Sequence, residues 1–286
     1  MKKNGIFVIV LTTLLALSGC SKNSENAQEN ASFDDFGVFL GVTDEMNYSH
    51  LYSYKKIAIE IEEFSSSTIK SFKDRDIELY SYLSIGSLEK YRDYYDDFKD
   101  YTFFDYENWE DEEWIDVSQS SWQAHLISEA TKFKELGSDG LFLDNFDVYY
   151  IAMEEYECSS SFKEGIYQGC RTILSELSKL NMKILINSGT DFLERLEEEK
   201  DPLIDKIDWY AQETVFSSIE DYDNDVFGIQ DNETHYYYEN IIEMMKKHSD
   251  ILLIEYTKDD LVKKAVRDYC NREKLHYYIS NSVALI

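Results

Sequence analysis

The sequence predicts an α/β fold, a single (β/α)8 barrel of the TIM type, and three observations predict it. Short apolar runs recur along the chain, charged amphipathic stretches lie between most of them, and several runs end in a carboxylate. Buried parallel strands read as continuous apolar runs. Strands alternating with helices imply a parallel sheet with right-handed crossovers. The C-terminal strand ends are where such a barrel carries its chemistry. An open doubly wound sheet is the alternative arrangement of the same elements.

The strand candidates, in order, are Phe36–Val42, Lys56–Ile61, Ile77–Ile85, Gly140–Asp144, Lys183–Asn187, Asp208–Val215, Ile251–Tyr256 and His276–Ser280. Eight of them suit a closed barrel. Trp122–Leu136 has apolar residues at helical spacing and stops at Gly137, a C-cap residue. Phe162–Leu180, Tyr236–His248 and Lys258–Glu273 are the other helical stretches. The sequence shows neither an internal repeat nor a domain-splitting linker, so residues 33–286 are expected to form one domain.

The first 32 residues belong to targeting, not to the fold. Lys2 and Lys3 precede an apolar segment, Ile6 to Leu17, that is too short to span a bilayer comfortably. Leu17-Ser18-Gly19-Cys20 resembles a bacterial lipobox. That resemblance implies a lipoprotein signal peptide over residues 1–19 and a lipid on the Cys20 thiol; an ordinary secretory signal is the alternative. Residues 20–32, rich in Ser, Asn, Glu and Gln, read as a flexible tether. The expected location is the extracellular face of a bacterial membrane, held by lipid alone.

The formal charge is -29, and loss of Lys2 and Lys3 with the leader takes it to -31. A chain so acidic will not bind nucleic acid by neutralising phosphates. It attracts polycations, among which a partly de-N-acetylated amino-sugar polymer fits; solubility alone is the plainer explanation. With Cys20 lipidated, Cys158, Cys170 and Cys270 remain, an odd number; Cys158 and Cys170 could pair, which sequence cannot establish. A monomer without cofactor is expected. No dinucleotide or P-loop glycine motif is present, nor H-E-x-x-H, and five scattered His offer no metal spacing. Asp221-x-Asp223-x-Asp225 begins like a calcium loop but has Val226 at the sixth place and Asn232 at the twelfth, so a solvated acidic loop is expected.

The chemistry lies at strand ends. Side chains alternate along a strand, which puts Phe142 and Asp144 on one face, Trp209, Ala211 and Glu213 on one face, and Leu253 with Glu255. In a closed barrel Asp144, Glu213 and Glu255 are expected to converge on the mouth. Two carboxylates so placed are what cleavage of a glycosidic bond needs. Singly, each could equally cap a helix or pair with an Arg.

Tyr82-Leu83-Ser84-Ile85-Gly86-Ser87-Leu88-Glu89-Lys90-Tyr91-Arg92 and Asp139-Gly140-Leu141-Phe142-Leu143-Asp144-Asn145-Phe146-Asp147 resemble the endo-α-1,4-polygalactosaminidases of glycoside hydrolase family 114. That family is also linked to the glycosidase domain of Pel-type polysaccharide operons. Asn187-Ser188-Gly189, Gln212-Glu213 and Glu255-Tyr256 follow in the expected order. The resemblance covers Phe36 to the end and implies a barrel that hydrolyses galactosamine-rich chains with an Asp on strand four and a Glu on strand six. These map onto Asp144 and Glu213. Departures are Ser138, where the family usually has an aromatic, and the acidic insertion Asp105–Asp116.

By analogy with other α-glycosidase barrels, Asp144 is the expected nucleophile and Glu213 the acid/base, which implies retention of configuration. Substrate-binding candidates are Tyr82, Glu89, Asp147, Tyr149, Asn187, Trp209 and Glu255, with Trp109 as a further aromatic. Arg92 could pair with Glu89 and make both structural. A non-catalytic lipoprotein that binds sugar or a cationic polymer on the same scaffold is the competing function. Presence of both Asp144 and Glu213 favours the enzyme.

Overall fold

The computed structural model describes residues 35–107, 109–154 and 158–286; the leader, Cys20 and the tether lie outside the described residues. Eight parallel strands form the main sheet: β1 (Phe36–Phe39), β2 (Lys56–Ile59), β3 (Glu78–Ser84), β4 (Gly140–Asp144), β5 (Lys183–Asn187), β6 (Trp209–Glu213), β7 (Asp250–Tyr256) and β8 (His276–Ser280). Each pairs with the next in sequence order. Among the described residues no ladder joins β8 to β1, but the two edges meet: Phe39 and Tyr278 pack edge to face with ring centroids 5.3 Å apart. The result is the (β/α)8 barrel, nearly closed.

The interior is a packed core, not a pore. Phe36 of β1 touches Tyr80 of β3 at 5.1 Å and Trp209 of β6 at 5.4 Å. Rings from strands so far apart can meet only through the barrel interior, so these three fill its floor. Asp139 and Asp208, each just before a strand, accept from the Leu79 and Ile184 backbone N–H of the neighbouring strand at 2.9 and 2.8 Å. They tie adjacent strand starts together where the ladder has not yet begun.

The outer helices include α1 (Ser66–Lys73), α2 (Ser120–Leu136), α3 (Ser160–Leu177), α4 (Thr190–Glu199), α5 (Asn232–Met245) and α6 (Asp260–Glu273). Ser65, Ser159, Asp231 and Asp259 cap the first turns of α1, α3, α5 and α6 through side-chain oxygens. Gly137 ends α2 at φ 112°, a left-handed conformation that costs glycine nothing. The sequence reading missed α1 and α4, which are only 8 and 10 residues long and bury few apolar side chains each, Ile69 and Phe72 in α1 and Phe192, Leu193 and Leu196 in α4.

Two excursions leave the barrel at its mouth. After β3, segments Ser87–Glu89, Glu112–Ile115 and Thr102–Asp105 form a small antiparallel sheet in that spatial order. It contains the acidic insertion. After β6, Ser217–Asp221 and Val226–Ile229 form a hairpin whose turn is the Asp221–Asp225 stretch. There the Asp221 carboxylate accepts from Asn224 N and Nδ2, and Asp225 accepts from Val283 N at 2.8 Å. Cys170 and Cys270 are buried thiols, so no Cys158–Cys170 bridge forms; burial pushes both thiols up. Among the described residues no helix is long and apolar enough to cross a membrane.

Candidate active site

The mouth of the barrel holds a cavity of about 390 Å³. Strand register decides which side chains enter it. Leu143 pairs with Ile186, which sets Asp144 opposite Asn187, and Asn187 pairs with Ala211, which shares a face with Glu213 two residues on. Paired residues face the same way, so Asp144, Asn187 and Glu213 all point inward from the ends of β4, β5 and β6.

Each of these three is followed by a non-glycine residue in the left-handed region: Asn145 at φ 67°, Ser188 at 55° and Thr214 at 55°. For a β-branched Thr this is a strained conformation. It is held by neighbouring strands. Ser188 N donates to Ala211 O and Thr214 N to Ile254 O, both at 2.9 Å, while Asp144 O accepts from Ile85 N at 3.0 Å. The chain therefore turns sharply at once after each site residue.

One amide joins the two carboxylates. Asn187 Nδ2 donates to Asp144 Oδ1 at 3.0 Å and to Glu213 Oε1 at 2.7 Å. Asp144 accepts further bonds from Asn145 N at 2.9 Å and Tyr82 OH at 3.2 Å. Burial raises the Asp144 carboxyl and these three donors oppose the rise by favouring its ionised form. Glu213 is pushed up to about 7, first by burial and then by the charge of Asp144, against hydrogen bonds from Asn187 and Tyr256. One carboxyl is thus furnished with donors for a charge, and the other is poised to hold a proton near neutrality.

More carboxylates ring the pair. Asp147 accepts from Gly189 N at 3.2 Å and is pushed to about 7 by burial and by Asp144. Glu112, which accepts from Ser87 Oγ at 2.7 Å, and Glu60 are likewise pushed to about 7 by burial. Glu60 and Glu89 share Arg92, whose Nη2 donates to Glu60 at 2.6 Å and whose Nε donates to Glu89. The Glu89–Arg92 pairing expected from sequence is present, with Glu89 at the end of the short strand Ser87–Glu89. Glu89 also lines the cavity.

The structure therefore brings together Asp144, Glu213, Asn187, Asp147, Tyr82, Glu89 and Trp109 around one cavity. Three expected site residues are elsewhere. Glu255 faces away: Ile254 is the residue in register with Glu213, so Ile254 and Tyr256 share its inward face and Glu255 takes the other. Its fully buried carboxylate accepts from Phe216 N at 3.0 Å, Ser217 N at 2.9 Å and Ser217 Oγ at 2.6 Å, which fixes the base of the hairpin. Trp209 shares a face with Glu213 but starts the strand that Glu213 ends, about 13 Å away at ~3.3 Å per residue, and fills the floor. Tyr149 is buried against Tyr167, and its hydroxyl accepts from Arg195 at 3.1 Å.

Sequence reasoning missed Glu60, Glu112, Tyr106, Tyr222, Tyr238 and Tyr256, all of which line the cavity. Glu60 had a usable signal, since Ala58-Ile59-Glu60 is another apolar run ending in a carboxylate. Ser138, the departure before Asp139-Gly140, is buried and donates to Gly140 O at 2.7 Å, away from the cavity.

A parallel eight-stranded barrel whose strands four and six bring two carboxyls to one buried site has the layout of a glycoside hydrolase. Comparison with known proteins gives the family: the model of the glycoside-hydrolase family GH114 matches residues 21–281, and the chain belongs to that family. It is a glycoside hydrolase. The glycoside hydrolase domain of PelA from Pseudomonas aeruginosa superposes with a TM-score of 0.72 at 16% identity, covering 88% of this chain and 95% of that one. Ega3 of Aspergillus fumigatus, solved in complex with galactosamine, gives a TM-score of 0.64 at 16% identity over 88% of this chain and 92% of its own. An uncharacterized protein of Thermotoga maritima is 23% identical over 274 residues, spanning 90% of this chain and 81% of that protein.

Proposed function

We propose that this protein hydrolyses α-1,4-linked galactosamine-rich polysaccharide with retention of configuration, using Asp144 as nucleophile and Glu213 as acid/base. The observation that carries the substrate class is the charge of the cavity. Glu60, Glu89, Glu112, Asp144, Asp147 and Glu213 line it, and among the described residues no Lys, Arg or His does. Such a wall favours ammonium groups and the positive charge of an oxocarbenium-like transition state. Similarity to Ega3, solved with galactosamine, supports the sugar.

Asp144, whose ionised form its three donors favour, attacks the anomeric carbon as Glu213 passes its proton to the leaving glycosidic oxygen. A covalent glycosyl ester on Asp144 results. Glu213, now ionised, takes a proton from water, whose oxygen attacks the same carbon and frees Asp144. Retention is supported by the shared amide. It holds Asp144 Oδ1 and Glu213 Oε1 on one Nδ2, at 3.0 and 2.7 Å, which favours the close spacing of a retaining pair.

The deciding experiment is incubation with partly deacetylated galactosamine polymer, products being read by mass spectrometry and early-time NMR, with a glucosamine polymer in parallel. The expected result is short galactosamine oligomers released first as the α anomer. A β product would remove Asp144 from the nucleophile role. Binding without any new reducing ends would favour the non-catalytic lipoprotein. Affinity should fall with re-acetylation and with salt, since exposed charges reach only about 8 Å at physiological ionic strength. Lipid attachment at Cys20 is part of the proposal; radiolabelled fatty acid should enter the wild type and not Cys20→Ser.

A further inference from the structure

The two excursions meet over the cavity. One follows β3 and the other follows β6, three places along a ring of eight strands. Their bases therefore stand on nearly opposite sides of the mouth. Their tips nevertheless touch: the rings of Trp109 and Tyr222 lie 5.8 Å apart, edge to face at 76°. Both residues line the same cavity as Asp144 and Glu213.

Neither arm is loosely placed. On the β3 side, Tyr106 stacks on Trp114 at 4.3 Å, and its hydroxyl donates to Asn145 Oδ1, next to Asp144, at 3.2 Å. On the β6 side, the Glu255 carboxylate holds the hairpin base and Lys258 Nζ donates to Asp225 O at 3.0 Å. Among the described residues the aromatic contact between the tips is the Trp109–Tyr222 pair, and one such pair, worth about 0.5–1.5 kcal/mol, is weak enough to open and reform.

A line drawn from β3 to β6 across the mouth leaves β4 and β5 on one side and β7, β8, β1 and β2 on the other. Cavity-lining residues occur on both sides, with Asp147 and Ser188 on the first and Leu40, Glu60 and Leu285 on the second. The cavity therefore runs beneath the Trp109–Tyr222 contact, and the carboxylate pair lies in that passage.

We propose that Trp109 and Tyr222 form an aromatic roof under which a single polysaccharide chain is held, so that the enzyme cuts one chain repeatedly before letting it go. The proposal rests on the reading of the site as a galactosaminan hydrolase. The roof opens to admit a chain and closes above it. The carboxylate floor holds ammonium groups while the ring faces above attract the same charge. After one cut, the product in the open end leaves and the remaining chain slides forward beneath the roof.

The test compares wild type with Trp109→Ala, Tyr222→Ala and Trp109→Phe on partly deacetylated galactosamine polymer. Mean chain length, from light scattering, is plotted against bonds cleaved, from reducing ends. This relation does not depend on how fast each variant works. Wild type should release short oligomers while the remaining polymer keeps most of its length. The two alanine variants should shorten the bulk polymer several-fold more per bond cleaved, and Trp109→Phe should follow the wild-type curve. Superimposable curves for wild type and both alanine variants would overturn the roof, as would random internal cleavage by wild type, even though either result leaves the hydrolase reading intact. Absence of any reducing ends from wild type would instead overturn the underlying reading and the roof with it.

Discussion

The two ends of the barrel use the same residue types in opposite ways. At the floor, charges of both signs alternate and are matched: Lys183 pairs with Glu78, Lys73 with Asp139, and His276 Nδ1 lies 2.8 Å from Asp35. Burial there raises the Asp35 carboxyl, but the His276 hydrogen bond and the Lys56 charge outweigh it and hold the group below its ordinary value. At the mouth, carboxylates crowd one another, with Arg92 shared by two of them. Glu60, Glu112, Asp147 and Glu213 are all pushed to about 7 by burial. The floor is built to stay folded. The mouth holds charge at a cost to the fold, which is the expected signature of a working site.

The comparison breaks most visibly at the catalytic pair. Asp144→Asn and Glu213→Gln should each lower turnover by about 100- to 10,000-fold, as loss of a positioned acid or base does, with circular dichroism unchanged. If either variant keeps near wild-type turnover, the role of that residue is misassigned. The floor should give the reverse pattern. Asp208→Ala removes the acceptor of the Ile184 N–H and should cost about 1–3 kcal/mol in denaturant unfolding. Its turnover well below the melting temperature should match wild type; a stable but inactive variant would erase the division between the ends.

Acidity sharpens the contrast. The four raised carboxyls bind more protons folded than unfolded between about pH 4.5 and about 7. Their contribution to stability is therefore present below the unfolded values and is lost as pH rises through about 7. Asp35 has the opposite sign: its contribution is present above its unfolded value and is lost as pH falls. The melting temperature should decline from pH 5 to pH 8, and Glu112→Gln should flatten that decline. A flat profile in the wild type would mean that the mouth is not under charge strain. The smallest effect belongs to the backbone. Thr214→Gly should relieve the left-handed strain, worth about 1 kcal/mol, and should raise the melting temperature while lowering turnover by loosening Glu213.

The sequence disclosed the barrel because buried parallel strands are continuous apolar runs, and all eight occur where the runs do. Gly140–Asp144, Lys183–Asn187 and His276–Ser280 even have the expected bounds. The carboxylates of β4 and β6 were readable for the same reason, as polar ends of apolar runs. What failed was anything that depends on register or on position along a strand. Glu255 and Tyr256 are neighbours, and only pairing with β6 decides which of them faces inward. Trp209 has the right face and the wrong end. The two arms were illegible because their strands are only 3 to 5 residues long, too short for a sustained alternation. Glu112, Tyr106 and Tyr222 enter the cavity only because those arms fold back over it.

The left-handed residues after Asp144, Asn187 and Glu213 bear on when the enzyme becomes an enzyme. Thr214 keeps its conformation through a bond to Ile254, which belongs to the next strand, and Ser188 depends in the same way on Ala211. A chain folded as far as β6 has the Glu213 side chain but not the partner that holds the turn behind it. Such a chain is free to relax into ordinary extended backbone, which would swing the carboxyl away from Asn187. Catalytic competence is then the last property acquired during folding, arriving with β7 and not with compaction. In a refolding experiment, tryptophan fluorescence from the floor should recover ahead of hydrolytic activity.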